Sequence, residues 1–271
     1  MKILFITDIH QNIAALEKIN TTGYDMIICG GDILDPANPD MNIAKQIVDI
    51  LPEQTYFVPG NCDNHAELLA LTAKFRSLHL QKQTANIGND EYDLIGLGYA
   101  RSLGDDFIEY RKFFTEDVSH ITAFAQGSPA KFILPSCGII LQDGNISYLP
   151  IEECLKKGEP FIKKFGAFDE QEAAAFFDTI DSLHNGIMVC HSPVRGVMDQ
   201  LPYLPPIGAA AAAKAVQRLK PRLVLCGHFH EFCQNVTLDG VTYCNPGAVK
   251  DGKYGVINME ETRIECELRN V

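Results

Sequence analysis

The sequence predicts an α/β fold: a β-sandwich of two sheets flanked by helices (αββα), with an inserted segment near its middle. Three observations carry that prediction. Over the first hundred residues, short apolar runs alternate with segments of helical spacing, as in parallel strands joined by helices. The alternation breaks off near Tyr99 and returns near Ile187. After His230 it gives way to alternating segments split by short turns, the texture of antiparallel hairpins.

Lys2–Thr7 (KILFIT) reads as the first strand. Asp8 breaks the apolar start early and no small-residue cleavage site follows, so the start reads as a strand and not a signal peptide. Asn12–Ile19 has helical spacing with Asn12 as its cap. Met26–Gly30 is a second strand, and Met41–Leu51 an amphipathic helix stopped by Pro52. Gln54–Val58 is a third strand. Asn64-x-x-Glu67 has the form of a capping box opening a helix that runs to about Phe75. Later come a strand at Ile187–Cys190, an alanine-rich helix at Ala209–Lys220 and a strand at Leu223–Cys226. Asp239-Gly240 and Glu261-Thr262 each predict a hairpin, and the two hairpins are expected to close a second sheet.

Between Tyr99 and about Leu183 a hairpin is expected at Asp143-Gly144 and a helix over roughly Asp169–Leu183. The rest of this stretch is loop-rich, with Pro129, Pro135, Pro150 and Pro160. The chain therefore reads as one domain over 1–271 with an insertion at about 100–184. The insertion is either a lid beside the active site or a peripheral element through which the protein forms oligomers.

Composition narrows the function classes. An apolar fraction of 46 % supports an ordinary core. The formal net charge of −12 argues against nucleic acid and anionic lipid as partners. No apolar run approaches the ~18 residues of a membrane span. The nine cysteines include no C-x-x-C pair, and Cys29, Cys190 and Cys226 sit in apolar strand-like runs. Thiols so placed behave as small hydrophobes in a reducing compartment, so the expected location is cytoplasmic.

The chemistry lies in small polar groups that each follow a strand-like run. They are Asp8-Ile9-His10, Gly31-Asp32, Gly60-Asn61-Cys62-Asp63, His191, and Gly227-His228-Phe229-His230. Loops at the carboxyl ends of strands in an open α/β sheet converge on one place. Imidazole with carboxylate suits zinc, manganese or iron, and four of the eight histidines fall within these groups. Thr7 and Asp35 lie beside the ligands as candidate supports. His65 is a candidate acid, although it reads more readily as a surface residue at the start of a helix, and Arg195 is a candidate phosphate clamp that reads at least equally as a structural residue.

The ordered set D-x-H, G-D, G-N-x-D, H, G-H-x-H resembles the calcineurin-like metallophosphoesterase superfamily, over residues 1 to about 100 and about 186 to 258. Gly-Asn-Cys-Asp, His191-Ser192-Pro193 and Asn245-Pro246-Gly247 are similar to its small phosphodiesterase branch. The resemblance implies two divalent ions, manganese, iron or zinc, with manganese foremost. Asp8, His10, Asp32 and His230 would hold the first ion, and Asp32, Asn61, His191 and His228 the second. Two cations ~3.5–4 Å apart need a bridging anion, and the shared Asp32 fits that need. The implied activity is hydrolysis of a phosphodiester by a hydroxide bridging the ions, with Asn61, Cys62, Asp63 and His191 as catalytic residues. The expected substrate is a small phosphorylated molecule such as a nucleotide diester. Many relatives carry His where this chain has Cys62, and that His is thought to protonate the leaving oxygen. A neutral thiol with pKa near ~8.5 lacks that positive charge, which implies a lean towards diesters. The alternatives are a phosphomonoesterase or protein phosphatase of the same fold, and a non-catalytic scaffold.

Overall fold

In the first strand, β1 (Lys2–Ile6), every residue after Lys2 is buried, so it requires apolar neighbours on both faces. Alternation sorts its side chains. Ile3 and Phe5 join a cluster that includes Val189 and Leu225, while Leu4 and Ile6 join another that includes Leu16, Ile47 and Leu68. The computed structural model describes residues 1–101, 133–134, 139–142, 145–148, 165–200 and 206–271, and in it this sorting yields four layers.

The first sheet extends from β1 through β2 (Met26–Cys29), β3 (Tyr56–Phe57) and β4 (Arg76–Ser77), all parallel. On the other side of β1 lie the antiparallel β14 (Lys253–Met259) and β15 (Ile264–Asn270). The second sheet has the order β12 (Gln234–Leu238), β13 (Val241–Asn245), β11 (Leu223–Leu225), β10 (Ile187–Cys190), β6 (Asp90–Leu97), β5 (Lys82–Ile87). Strands β6, β10, β11 and β13 run parallel, with β5 and β12 antiparallel at the edges. The two sheets bury their facing sides against each other, Phe5, Ile28 and Val58 from the first and Leu94, Val189 and Leu225 from the second. A small third sheet pairs β7 (Ile133–Leu134), β8 (Ile139–Gln142) and β9 (Asn145–Tyr148).

Helices α1 (Ile13–Leu16), α2 (Met41–Ile50) and α3 (Ala66–Thr72) cover the outer face of the first sheet. Helices α4 (Glu170–Asp178) and α5 (Ala210–Leu219) cover the second through Phe177, Ala212 and Val216 against Ile95, Met188 and Val224. Their starts follow ordinary capping chemistry: Asn12, Asp40 and Asp169 each accept backbone N–H groups of the first turn. Helix α5 starts at Ala209, which has no capping oxygen. The Glu170 carboxylate serves instead, accepting Ala210 N at 2.9 Å and Ala211 N at 2.7 Å.

The structure bears out the two-sheet architecture and departs from the sequence reading in several places, among them the ends of α1 and α3, which stop at Leu16 and Thr72 and not near Ile19 and Phe75. The two late hairpins form, but each joins a different sheet: β12–β13 edges the second and β14–β15 the first. Asn64 caps nothing at α3; the N-cap is His65, whose side chain makes no capping bond. The reason lies one residue earlier, where Asn61–Asp63 forms a 3-10 turn and Asn64 closes it. The helix expected to Leu183 stops at Asp178. The sequence reading also misses β4, β5 and β6; β5 is an edge strand of mostly polar residues in which Ala85 alone is buried. Strands β8 and β9 pair with Gln142 opposite Asn145, while the expected turn Asp143-Gly144 and Pro129, Pro135, Pro150 and Pro160 lie outside the described residues. Most of the insertion expected as a lid or oligomer element also lies outside them. Among the described residues no helix is long and apolar enough to cross a membrane.

Candidate metal centre

The predicted ligands occupy the loops at the carboxyl ends of five parallel strands. Asp8 and His10 follow β1, Asp32 follows β2, and Asn61 follows β3; His191 follows β10, and His228 and His230 follow β11. The site is therefore shared by both sheets. Four of these residues hold left-handed backbone: Asp8 (φ 55°), His10 (φ 43°), Asp32 (φ 54°) and His228 (φ 66°). Non-glycine residues are uncommon there, and the strain, about 1–3 kcal/mol each, is a feature of functional loops. The loops also pass very close together. A Cβ at Gly60 would sit 2.0 Å from the Asp32 Oδ1 atom, so only glycine fits before Asn61.

Three overlapping groups form. Asp8, His10 and His230 make the first, Asp32, His191 and His228 the second, and His10, Asp32 and Cys62 lie between them; within each group the ligand atoms are within 4.8 Å of one another. Asp8 Oδ1 lies 3.1 Å from His230 Nε2. Asp32 points one oxygen each way, Oδ2 at 3.7 Å from His10 Nε2 and Oδ1 at 3.6 Å from His191 Nε2. A carboxylate so placed could bridge two ions. Asn61 completes the second group, with Oδ1 3.0 Å from His191 Nε2.

The donor set fits divalent metal. His10 Nδ1 lies 3.0 Å from the Leu34 carbonyl, and His191 Nδ1 lies 2.7 Å from the Gly30 carbonyl. A carbonyl only accepts, so each Nδ1 carries the hydrogen and each Nε2 turns into the cluster as a ligand. Buried Asp8 and Asp32 bring two carboxylates into a water-poor space that favours a cation. Burial alone would raise the Asp8 carboxyl. The hydrogen bond from His230 and the nearby His191, His230 and His10 outweigh burial and hold it well below the usual carboxylate range. Burial lowers His228 to about 4, helped by the charge of His191. His191 is itself raised, because the Asp32 and Asp8 carboxylates overcome its burial.

The surrounding residues set these positions. Thr7 Oγ1 donates to Asp8 Oδ2 at 2.8 Å, and His228 N donates to the same oxygen at 3.0 Å. Asp63 accepts Ile33 N at 2.8 Å and Leu34 N at 3.1 Å on one oxygen, and Gly60 N at 2.9 Å on the other. It thereby ties the Asp32 loop to the Asn61 loop. Burial and the Asp32 charge push its carboxyl up to about 7. Asp35 caps its own loop at Ala37 and Asn38, and His65 is exposed at the start of α3. Arg195 follows β10, with its N–H on the Ala209 carbonyl.

Two residues carry more than the sequence reading assigns. The sequence puts Cys62 at the leaving-group position, yet its sulfur also stands within the group of His10 and Asp32. Its thiol is pushed far up by burial and by the Asp32 carboxylate, which also accepts the Cys62 N–H at 2.8 Å. Buried Asn245 donates through Nδ2 to the carbonyls of Gly227, at 3.3 Å, and Phe229, at 3.0 Å, the residues flanking His228. Its place in the Asn-Pro-Gly phrase is the only sequence signal for that role.

Superposition on a solved structure supports the fold. The TT1561 protein of Thermus thermophilus superposes with a TM-score of 0.53 at 18% identity, covering 98% of this chain and 97% of that one. A dimetal phosphatase from Danio rerio aligns more loosely, with a TM-score of 0.43 at 14% identity over 100% of this chain and 96% of its own. No curated protein matches the sequence. The calcineurin-like phosphoesterase family matches residues 1–232, a span that takes in every ligand named above and most of the chain. With this metal-ligand geometry at the shared edge of its two sheets, the chain belongs to the calcineurin-like phosphoesterases.

Proposed function

We propose that the chain hydrolyses a phosphodiester in a small phosphorylated substrate, a nucleotide diester for example, using two divalent ions with manganese foremost. The observation that carries the dinuclear reading is Asp32, whose two oxygens face His10 and His191 in different ligand groups. Asp8, His10, Asp32 and His230 would hold one ion, and Asp32, Asn61, His191 and His228 the other. When bound, the ions supply a nucleophilic water at neutral pH and positive charge for the phosphoryl oxygens.

The protein's own residues do the rest. Two carboxylates against two divalent ions leave the site net positive, which favours a phosphate despite the overall charge of −12. His191 and Asn61 face each other at the site, and the Asn61 Nδ2, which gives one hydrogen to Cys62 Sγ at 3.6 Å, keeps a second for a phosphoryl oxygen. Cys62 supports the diester preference. Burial and the Asp32 charge hold its thiol neutral, so it supplies no cationic acid to a leaving oxygen. Substrates whose leaving group departs without strong protonation are favoured. The seven cysteines among the described residues are all free thiols, which supports a reducing, cytoplasmic location.

The test compares a chromogenic diester with the matching monoester, using full-length protein and added manganese. Faster turnover of the diester is expected. Faster turnover of the monoester would make the chain a phosphomonoesterase.

A further inference from the structure

Asn61 and His191 stand on loops from different sheets, so something must fix one loop against the other. Tyr99 touches both. Its N–H donates to the Pro59 carbonyl at 2.6 Å, two residues before Asn61, and its carbonyl accepts Ser192 Oγ at 3.3 Å, next to His191. Tyr99 holds φ at 66°, a costly conformation for a bulky side chain. The ring is confined on two sides. His79 packs edge-on at 5.1 Å, with its Nδ1 held by the Gly98 N–H at 2.9 Å.

On the other side is Gly166, where a Cβ would sit 2.3 Å from Tyr99 Cδ1 and 2.7 Å from Cε1. The ring thus lies against bare backbone, and a side chain at position 166 would force ring and backbone apart. That backbone also reaches the metal centre: the Gly166 N–H donates to the Asn61 carbonyl at 2.7 Å. The neighbouring segment is anchored beside Tyr99 by the Ala100–Ala167 bridge and by Phe168 N on the Ala100 carbonyl at 3.1 Å.

The geometry points to Tyr99 and Gly166 as a positioning clamp that sets Asn61 opposite His191 and so governs the affinity for one of the two ions. The clamp rests on the dinuclear reading above. Neither residue touches substrate; both act through the two ligand loops.

The experiment titrates metal-free, full-length protein with manganese chloride in a calorimeter and records the melting temperature of each variant. Wild type binds two ions. Tyr99→Ala and Gly166→Ala each weaken one ion by roughly 10–100-fold, the effect of losing a support to a metal ligand, and leave the other unchanged. Tyr99→Phe keeps the ring and the backbone contacts and retains both affinities. If Tyr99→Ala does not fold, Gly166→Ala carries the comparison. Unchanged affinities in the folded variants, or equal weakening of both ions, overturn the clamp alone. Fewer than two ions on the wild type overturns the dinuclear reading beneath it.

Discussion

The Nε2 atom of His191 faces the side-chain oxygen of Asn61 at 3.0 Å, while its Nδ1 is spent on the Gly30 carbonyl at 2.7 Å. With the hydrogen on Nδ1, two lone pairs point at each other across the gap. A shared cation removes that conflict, and in its absence a proton on His191, drawn by Asp32 and Asp8, does the same. A bound ion would therefore add to the stability of the folded site.

Asp32 joins both ligand groups, so Asp32→Asn is expected to weaken both ions and lower diester hydrolysis by at least about a hundredfold, the upper effect of losing a mere supporting residue. Manganese at a hundred times its dissociation constant should stabilise wild type by about 2.7 kcal/mol per site, and the variant by much less. Melting curves with and without manganese check this. Equal stabilisation of the two proteins would remove Asp32 from the bridge.

Cys62→His tests the leaving-group argument. An imidazole at that place supplies an acid that the buried thiol does not, and such catalysis contributes typically about 10²–10⁴-fold. The ratio of monoester to diester turnover should rise by about tenfold or more. An unchanged ratio would show that Cys62 does not set the preference.

Asp63 binds the amides of Ile33, Leu34 and Gly60 through both oxygens. Asparagine offers one acceptor oxygen, so Asp63→Asn leaves at least one buried N–H unpaired. A cost of about 2 kcal/mol is expected, in the range for leaving a buried donor without its partner. Urea unfolding measures it, and an unaltered midpoint would show that the loops hold without the carboxylate.

A pH effect arises far from the metal centre, at Asp93. Burial would raise its carboxyl, but the His184 amide, Lys82 and Thr84, each near 2.9 Å, outweigh burial and hold it below its ordinary value. A group depressed in the folded state contributes its full stability above the unfolded pKa of ~3.9 and loses it as pH falls through the folded pKa. Asp93→Asn should therefore give a flatter dependence of the urea midpoint between about pH 5 and pH 2. Identical slopes for the two proteins would contradict the assignment.

How much of this was legible in the sequence depends on where each residue's constraint comes from. The candidate ligands were readable because Asp8, Asp32 and His191 each come just after a mostly buried apolar strand, and a polar residue in that setting stands out. Gly60 and Gly31 precede ligands for a reason that only the closeness of the two loops reveals. Tyr99, and the sulfur of Cys62 beside His10 and Asp32, act across long sequence separations that their local pattern does not announce, and Asn245 is marked only by its Asn-Pro-Gly phrase. The capping box at Asn64 misleads because its spacing matches while the preceding residues are already committed to a 3-10 turn. The edge strand β5 lacks the apolar alternation on which strand recognition depends.

Electron paramagnetic resonance of the manganese-loaded protein reads out whether two ions are joined through Asp32. At a spacing of ~3.5–4 Å two manganese ions couple magnetically. Two ions per chain and the spectrum of a coupled pair are expected, replaced in Asp32→Asn by that of isolated ions. Isolated-ion spectra from the fully loaded wild type would contradict the Asp32 bridge.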